Sequence, residues 1–182
     1  KIKQKLNKND NLIINVSGSN WNMASNTIHY LDLYNYFVGT KFKNFENKLL
    51  KKSYKSKRKG FFELYGFIKF NVNKKNYLTL ENVNKPNKLS IIIKFNNHKF
   101  SLDFNKDNNI IKYYYKNKLV NKNLFIFDKQ SNMTLKLVSK IFQKKSPGLI
   151  TFKNSVLLHL KFLEMLKYHS IYNLNSRNYP IT

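Results

Sequence analysis

The sequence contains no cysteine, which excludes disulfides, thiolate metal sites and cysteine nucleophiles together. Only nine of its 182 residues are Asp or Glu, and so few carboxylates leave little material for general acid–base catalysis. Glycine and proline number five and three, and neither a Walker lysine spacing nor a Gly-x-Ser-x-Gly elbow occurs. The four histidines are scattered, whereas a zinc or iron site needs three or more converging ligands. These absences predict a protein with no catalytic residues, no metal and no cofactor.

Long apolar runs are also missing. The longest apolar segment, residues 155–168, is interrupted by Lys161, Glu164 and Lys167. A transmembrane helix needs about 20 predominantly apolar residues, so no membrane span is expected. With 42% hydrophobic residues the chain can nevertheless bury a core.

Positive charge is present in large excess. Lys and Arg number 34, which gives a formal net charge of +25, and only Arg58 and Arg177 are arginines. Self-repulsion of this size destabilises a compact chain unless a partner supplies negative charge. Lysines bind phosphates with little selectivity for bases. The charge therefore predicts a nucleic-acid partner that is contacted through its backbone.

The frequent residues Lys, Asn, Ile, Phe and Tyr are those of A/T-rich codons, and Ala24 is the only alanine. An organellar genome, or an A/T-rich protist genome, is implied. On this basis we expect a mitochondrial protein.

Strand patterns dominate the middle of the chain. Residues 11–17 read as a short strand, while residues 21–37 follow no clear period. Residues 62–72 alternate apolar and polar side chains, the mark of a half-buried strand. Similar segments follow at 78–80, 91–95, 100–104, 110–115 and 124–127, and a tight hairpin is predicted at residues 96–98. These segments predict an antiparallel sheet.

Helical periodicity appears later. Met133, Leu137, Val138 and Ile141 share one face, and residues 131–145 should pack that face on the sheet. After a short strand at 149–152, a second helix should run from Ser155 to about residue 168, with an inward face formed by Val156, Leu160, Leu163 and Leu166.

Three segments resemble one family when taken in order. They are Gly60–Gly66 (GFFELYG), Leu124–Gln130 (LFIFDKQ) and Lys140–Pro147 (KIFQKKSP), with Phe152-Lys153 standing in a following loop. In this order they resemble large-subunit ribosomal protein six, in an organellar version, over about residues 57–157. The resemblance implies two small α+β domains of similar fold, the second seated on ribosomal RNA, without catalysis.

This resemblance organises the chain into a divergent N-terminal domain or extension (1–50), a basic linker (51–59), an α+β rRNA-binding domain (60–157) and a helical C-terminal extension (158–182). The fold class expected is α+β, with antiparallel sheets each packed with a helix. The expected role is that of a structural constituent of the mitochondrial large ribosomal subunit. Its partners would be rRNA and neighbouring ribosomal proteins, with no small-molecule substrate.

Lysine contacts to phosphates should carry the RNA binding. The candidate residues form two basic clusters: Lys51, Lys52, Lys55, Lys57, Arg58 and Lys59, and then Lys140, Lys144, Lys145 and Lys153. Two alternatives stay open, namely another organellar ribosomal protein, such as one of the small subunit, and an RNA-processing factor such as a maturase fragment.

Overall fold

A computed structural model of the chain describes residues 2–7, 10–39, 42–105, 108–126, 130–146 and 150–173. These residues contain four helices: α1 (Ile2–Lys5), α2 (Met23–Val38), α3 (Gln130–Phe142) and α4 (Phe152–Asn173). They also contain eight strands: β1 (Leu12–Ser19), β2 (Asn44–Lys55), β3 (Phe62–Asn73), β4 (Asn76–Val83), β5 (Ser90–Phe95), β6 (His98–Asp103), β7 (Asn109–Tyr115) and β8 (Lys118–Phe125).

The eight strands form one sheet in the order β2-β3-β4-β1-β5-β6-β7-β8. In its middle, β1 pairs parallel with β4 and antiparallel with β5. Every other neighbouring pair is antiparallel. The predicted α+β class is confirmed, with one mixed sheet in place of the purely antiparallel ones.

The core lies on one face of this sheet. Leu12, Ile14 and Val16 alternate with less buried residues along β1, because successive side chains of a strand point to opposite faces. In the register of the sheet, Ile14 stands between Leu78 of β4 and Ile93 of β5, which are also buried. Helix α2 covers this face over β3 and β4, and α4 packs against α2 and β2.

The predicted strands agree with the observed ones except at the two edges of the sheet. At one edge, β2 is not predicted as a strand, and residues 51–55 of the predicted basic linker lie in it. The segment predicted as a polar link before residue 124 is itself strand β8, and only Lys116 and Asn117 form the turn that precedes it. Both turn residues have positive φ, as the tight turns of two-residue hairpins require.

Helix α3 forms where its periodicity predicts it, but it does not pack on the sheet. Met133, Val138 and Ile141 are 44%, 40% and 56% exposed, and Leu137 is only half-buried. The predicted burial of this face is wrong. The strand that precedes α3 is β8, at the edge of the sheet. The residues of β8 are mostly exposed, so the helix does not cover them.

The prediction for the inward face of α4 is confirmed for Leu166 and wrong for Leu160 and Leu163. The buried residues are Leu158, Phe162, Met165 and Leu166, while Leu160 and Leu163 are exposed. The helix begins at Phe152, three residues before the predicted cap, and Thr151 acts as its N-cap because Thr151 Oγ1 accepts a hydrogen bond from the Asn154 N–H at 3.3 Å. The strand predicted at 149–152 is not formed by its described residues.

Candidate functional site

Helix α2 is fixed at its N-terminus by a buried carboxylate. Glu63 of β3 is fully buried and accepts hydrogen bonds from the backbone N–H of Ala24 at 2.7 Å and of Ser25 at 3.3 Å. The Ser25 hydroxyl donates to the same carboxylate. The first N–H groups of a helix lack partners within the helix, and a negative group is favoured there. Glu63 therefore caps α2 from a neighbouring strand.

Two aromatic side chains hold the rest of α2 against the sheet. The Trp21 Nε1–H donates to the Glu81 carbonyl at 2.8 Å, which anchors the turn between β1 and α2. The Tyr34 hydroxyl donates to the Leu12 carbonyl at 3.2 Å, and burial raises the pKa of Tyr34, so the hydroxyl stays a donor. These contacts give the exposed side of α2 a rigid support.

The exposed side of α2 faces α4 across a cleft. A cavity of about 500 Å³ opens there, and its walls come from α2 and from the start of α4. It is lined by His29, Asp32, Leu33, Asn35, Tyr36, Ile150, Thr151 and Asn154. Because residues three apart on a helix share a face, His29 and Asp32 both reach this cavity.

Asp32 is the most unusual group in the cleft. Its Oδ1 atom is buried and has no hydrogen-bond partner among the described residues. Burial raises the pKa of Asp32, while the nearby His159 and His29 lower it in part. A buried oxygen without a partner costs free energy, and this cost disfavours the ionised form of the Asp32 carboxylate.

His159 of α4 is held in one orientation. Its Nδ1 lies 2.9 Å from the Ser155 carbonyl oxygen. A carbonyl can only accept, so Nδ1 carries the proton and the other ring nitrogen, Nε2, is left as the acceptor in the neutral ring. The cleft thus combines the Asp32 carboxylate with the His29 imidazole, and His159 is near enough to lower the pKa of Asp32 in part. Carboxylates and imidazoles are groups that proton transfer uses.

A second cavity of about 210 Å³ adjoins the first along the same cleft. Asn35 and Asn154 line both cavities. The remaining walls of the second one are Gly39, Phe42, Leu157, Leu158 and Lys161. The Lys161 ammonium donates to the Phe42 carbonyl, which links α4 to the residues before β2.

The cations predicted to bind RNA lie apart from this cleft. Lys55 ends β2, and Lys57, Arg58 and Lys59 are exposed in the turn that follows. Lys51 and Lys52 lie in β2, and their side chains are outside the described part. The second cluster is on and after α3 and in the first turn of α4: Lys140, Lys144, Lys145 and Lys153.

The grouping of His29, Asp32 and His159 does not emerge from the sequence. Glu164 is the acid nearest to the later histidines along the chain, whereas Asp32 lies three residues after His29. The usable signal is a helical one, because the buried positions Met23, Thr27, Leu31 and Tyr34 recur every three or four residues. That period puts His29 and Asp32 together on the opposite, outer side.

Among the described residues, no group of three or more His, Asp or Glu side chains could hold a metal ion. Within the same residues, no helix has both the length and the apolar character to cross a bilayer.

No known protein family and no curated protein matches the sequence, but solved structures match its fold. UDP-N-acetylglucosamine 3-dehydrogenase from Acidithiobacillus ferrooxidans has a TM-score of 0.54 at 12% identity, over 97% of this chain and 55% of its own. A dehydrogenase from Clostridium difficile has a TM-score of 0.51 at 11% identity, and the match covers 92% of this chain and 57% of that protein. The super-repressor mutant of Gal80p from Saccharomyces cerevisiae has a TM-score of 0.54 at 12% identity, and the match covers 89% of this chain and 56% of that protein.

The likeness is one of fold. At 11–12% identity it carries no residue-by-residue correspondence, and this chain spans about half the length of each of these proteins.

These structures overturn the ribosomal interpretation. The fold found over nearly the whole chain is shared with dehydrogenases, so the assignment to ribosomal protein six is wrong. The predictions of a ribosomal role, an rRNA partner, no small-molecule substrate and no enzymatic activity are wrong with it. The alternative of another ribosomal protein fails for the same reason, and the RNA-processing alternative finds no support among these neighbours.

The three segments that resemble the ribosomal family lie in unrelated parts of this fold. Glu63, inside Gly60–Gly66, is the cap of α2. Lys140–Pro147 covers the end of a helix that does not pack on the sheet, and residues 127–129 of Leu124–Gln130 lie outside the described part. In a chain so rich in Lys, Asn and Ile, short similarities to other biased sequences arise by composition.

Proposed function

We propose that this chain forms the substrate-binding part of an oxidoreductase that acts on a hydroxyl group of a small, sugar-like molecule. The observation that carries the proposal is the placement of Asp32 and His29 side by side in the wall of one cavity. A dehydrogenase fold supports the oxidoreductase class. One neighbour is named for its action on UDP-N-acetylglucosamine, which supports a sugar as substrate.

The chain's own residues supply the proton chemistry. A hydroxyl that is oxidised to a carbonyl gives up a hydride and a proton. The hydride needs an acceptor that these residues do not hold, and the proton needs a base within hydrogen-bond reach. His29 is that base in the proposal. Asp32 accepts a hydrogen bond from the substrate or from the imidazole and stabilises the imidazolium that forms.

Dehydrogenase activity implies a hydride-accepting dinucleotide, and the described residues do not fit one. Its phosphates usually bind at a glycine-rich turn between a strand and a helix. The turn between β1 and α2 is such a place, but the sequence has no Gly-x-Gly-x-x-Gly. The Glu63 carboxylate occupies the N–H groups of α2 and would repel a pyrophosphate. No dinucleotide contact is assigned to these residues.

Supplying the intact protein with sugars and with both nicotinamide dinucleotides tests the proposal. We expect sugar binding by calorimetry and a carbonyl product by mass spectrometry. Binding without product, or the absence of binding, would reject it.

The variant His29→Gln tests the base. We expect kcat/KM to fall about 100-fold or more, the size of effect typical of a general base, with the unfolding midpoint unchanged because His29 is exposed. Turnover equal to that of the parent would remove His29 from the mechanism.

Two expectations from the sequence are kept as proposals, and one is revised. The basic clusters at 51–59 and 140–153, which were predicted to contact RNA phosphates, are proposed instead to attract an anionic substrate by their long-range field. The A/T-rich composition supports a mitochondrial location, which cell fractionation would test. The boundaries 1–50, 51–59, 60–157 and 158–182 are likewise retained as a proposed division, although residues 51–55 lie in β2.

A further inference from the structure

The two adjoining cavities run along the line where α2 and α4 meet. His29 and Thr151 stand at one end, and Gly39 and Lys161 stand at the other. Along each helix the two ends are separated by ten residues, which at 1.5 Å per residue corresponds to about 15 Å. A single sugar ring occupies only part of this length.

The two ends differ in chemistry. The first cavity offers His29, Asp32 and amide or hydroxyl groups, which suit hydroxyls. The second has apolar walls at Phe42, Leu157 and Leu158 together with the Lys161 ammonium, and this combination suits a partly apolar group that carries negative charge.

Lys161 differs from the many other surface lysines because its position is fixed. Its ammonium donates one hydrogen bond to the Phe42 carbonyl and has two further donors. It also lines a third cavity of about 310 Å³, where Lys43 and Glu164 stand with it. The third cavity carries a carboxylate beside its two lysines, whereas Lys161 is the only charged side chain among the residues that line the second one. We therefore place the negative group in the second cavity.

Resting on the proposed function, we infer that the substrate is a sugar extended by a diphosphate-linked group, such as a nucleoside diphosphate. The sugar lies at His29 and Asp32, and the anionic extension lies at Lys161. Asn35 and Asn154, which line both cavities, stand at the junction between the two parts.

Calorimetry on the intact protein tests this with three probes: N-acetylglucosamine, UDP and UDP-N-acetylglucosamine. We expect the conjugate to bind at least about tenfold more tightly than the free sugar. In Lys161→Gln the affinity for the conjugate should fall about tenfold, while the affinity for the free sugar stays unchanged. Lys161→Arg should retain most of the affinity.

The matched control is Lys167→Gln, which removes the same charge from the same helix at a position that lines none of the described cavities. It separates a local contact from the general attraction of a chain of charge +25. Equal losses in Lys161→Gln and Lys167→Gln, or equal affinities for free sugar and conjugate, would overturn the inference.

Failure of the proposed function gives a different pattern. If the site at His29 is not catalytic, His29→Gln leaves turnover unchanged while the Lys161-dependent binding of UDP persists. If only the extension is wrong, His29→Gln abolishes turnover of the free sugar, and Lys161→Gln has no effect on any probe.

Discussion

The Glu63 carboxylate of β3 accepts a hydrogen bond from the Ala24 backbone N–H at 2.7 Å and so joins the N-terminus of α2 to the sheet. The helix has no cap of its own, because Asn22 at its N-cap position makes no capping hydrogen bond with its side chain. The placement of His29 and Asp32 therefore depends on a residue more than thirty positions later in the chain.

Replacing Glu63 by Ala should destabilise the protein by about 1–3 kcal/mol, because buried N–H groups lose their partner. The free energy of unfolding from urea titration measures this. Glu81→Ala is the control, since it removes the same charge from an exposed site on the next strand and should change stability by less than about 0.5 kcal/mol. Equal effects would mean that net charge, and not the cap, is responsible.

Replacing Asp32 by Asn should stabilise the protein at neutral pH. The pKa of Asp32 is raised by burial, so the folded state binds the proton more tightly than the unfolded state does. The parent therefore loses stability as the pH rises from the ordinary Asp range through the raised pKa, and Asn does not. Thermal unfolding of both proteins from acidic to neutral pH measures the difference, which should grow across that window and then level off. A constant difference would contradict the burial of an ionised carboxylate.

Replacing Met165 by Ala should cost about 2–5 kcal/mol through the cavity left in the core, because Met165 is fully buried. Leu163→Ala, two positions earlier on α4, should have little effect, since Leu163 is 53% exposed. Chemical denaturation of the two variants checks the orientation of α4. A larger loss of stability in Leu163→Ala than in Met165→Ala would mean that Leu163 faces inward, as the sequence pattern predicts.

Replacing Val138 by Ala should change the free energy of unfolding by less than about 0.5 kcal/mol, because the Val138 side chain is 40% exposed. Hydrogen exchange should accordingly be faster in α3 than in β1. A loss above about 2 kcal/mol would show that the apolar face of α3 is covered in solution.

The sheet is predictable where one side of a strand is buried and the other is not. In β5 the apolar residues Ile91, Ile93 and Phe95 are buried and alternate with less buried ones, whereas in β3 the polar Glu63 and Asn71 are buried as well. Helix α2 is hard to predict because its buried positions include Thr27 and Tyr34, which read as strand or turn residues in isolation. The face of α4 is ambiguous because Leu160 and Leu163 are as apolar as the residues that are buried.

The candidate site could not be found by local reasoning. His29 and Asp32 come together with Thr151 and His159 only because α2 and α4 meet across more than a hundred residues of chain. The net charge of +25 is a property of the whole chain, and it led to the prediction of a nucleic-acid partner. The buried Asp32 oxygen is a property of a single atom, which composition does not reveal. A net charge does not specify where a ligand binds.

The position of β1 has a consequence for folding during synthesis. This strand is made before both of its partners, because β4 and β5 are complete only about 65 and 75 residues later. At 5–20 residues per second, the ribosome needs roughly 3–15 seconds to deliver them. During that interval Leu12, Ile14 and Val16 have no sheet to enter, so these apolar side chains are open to non-specific association.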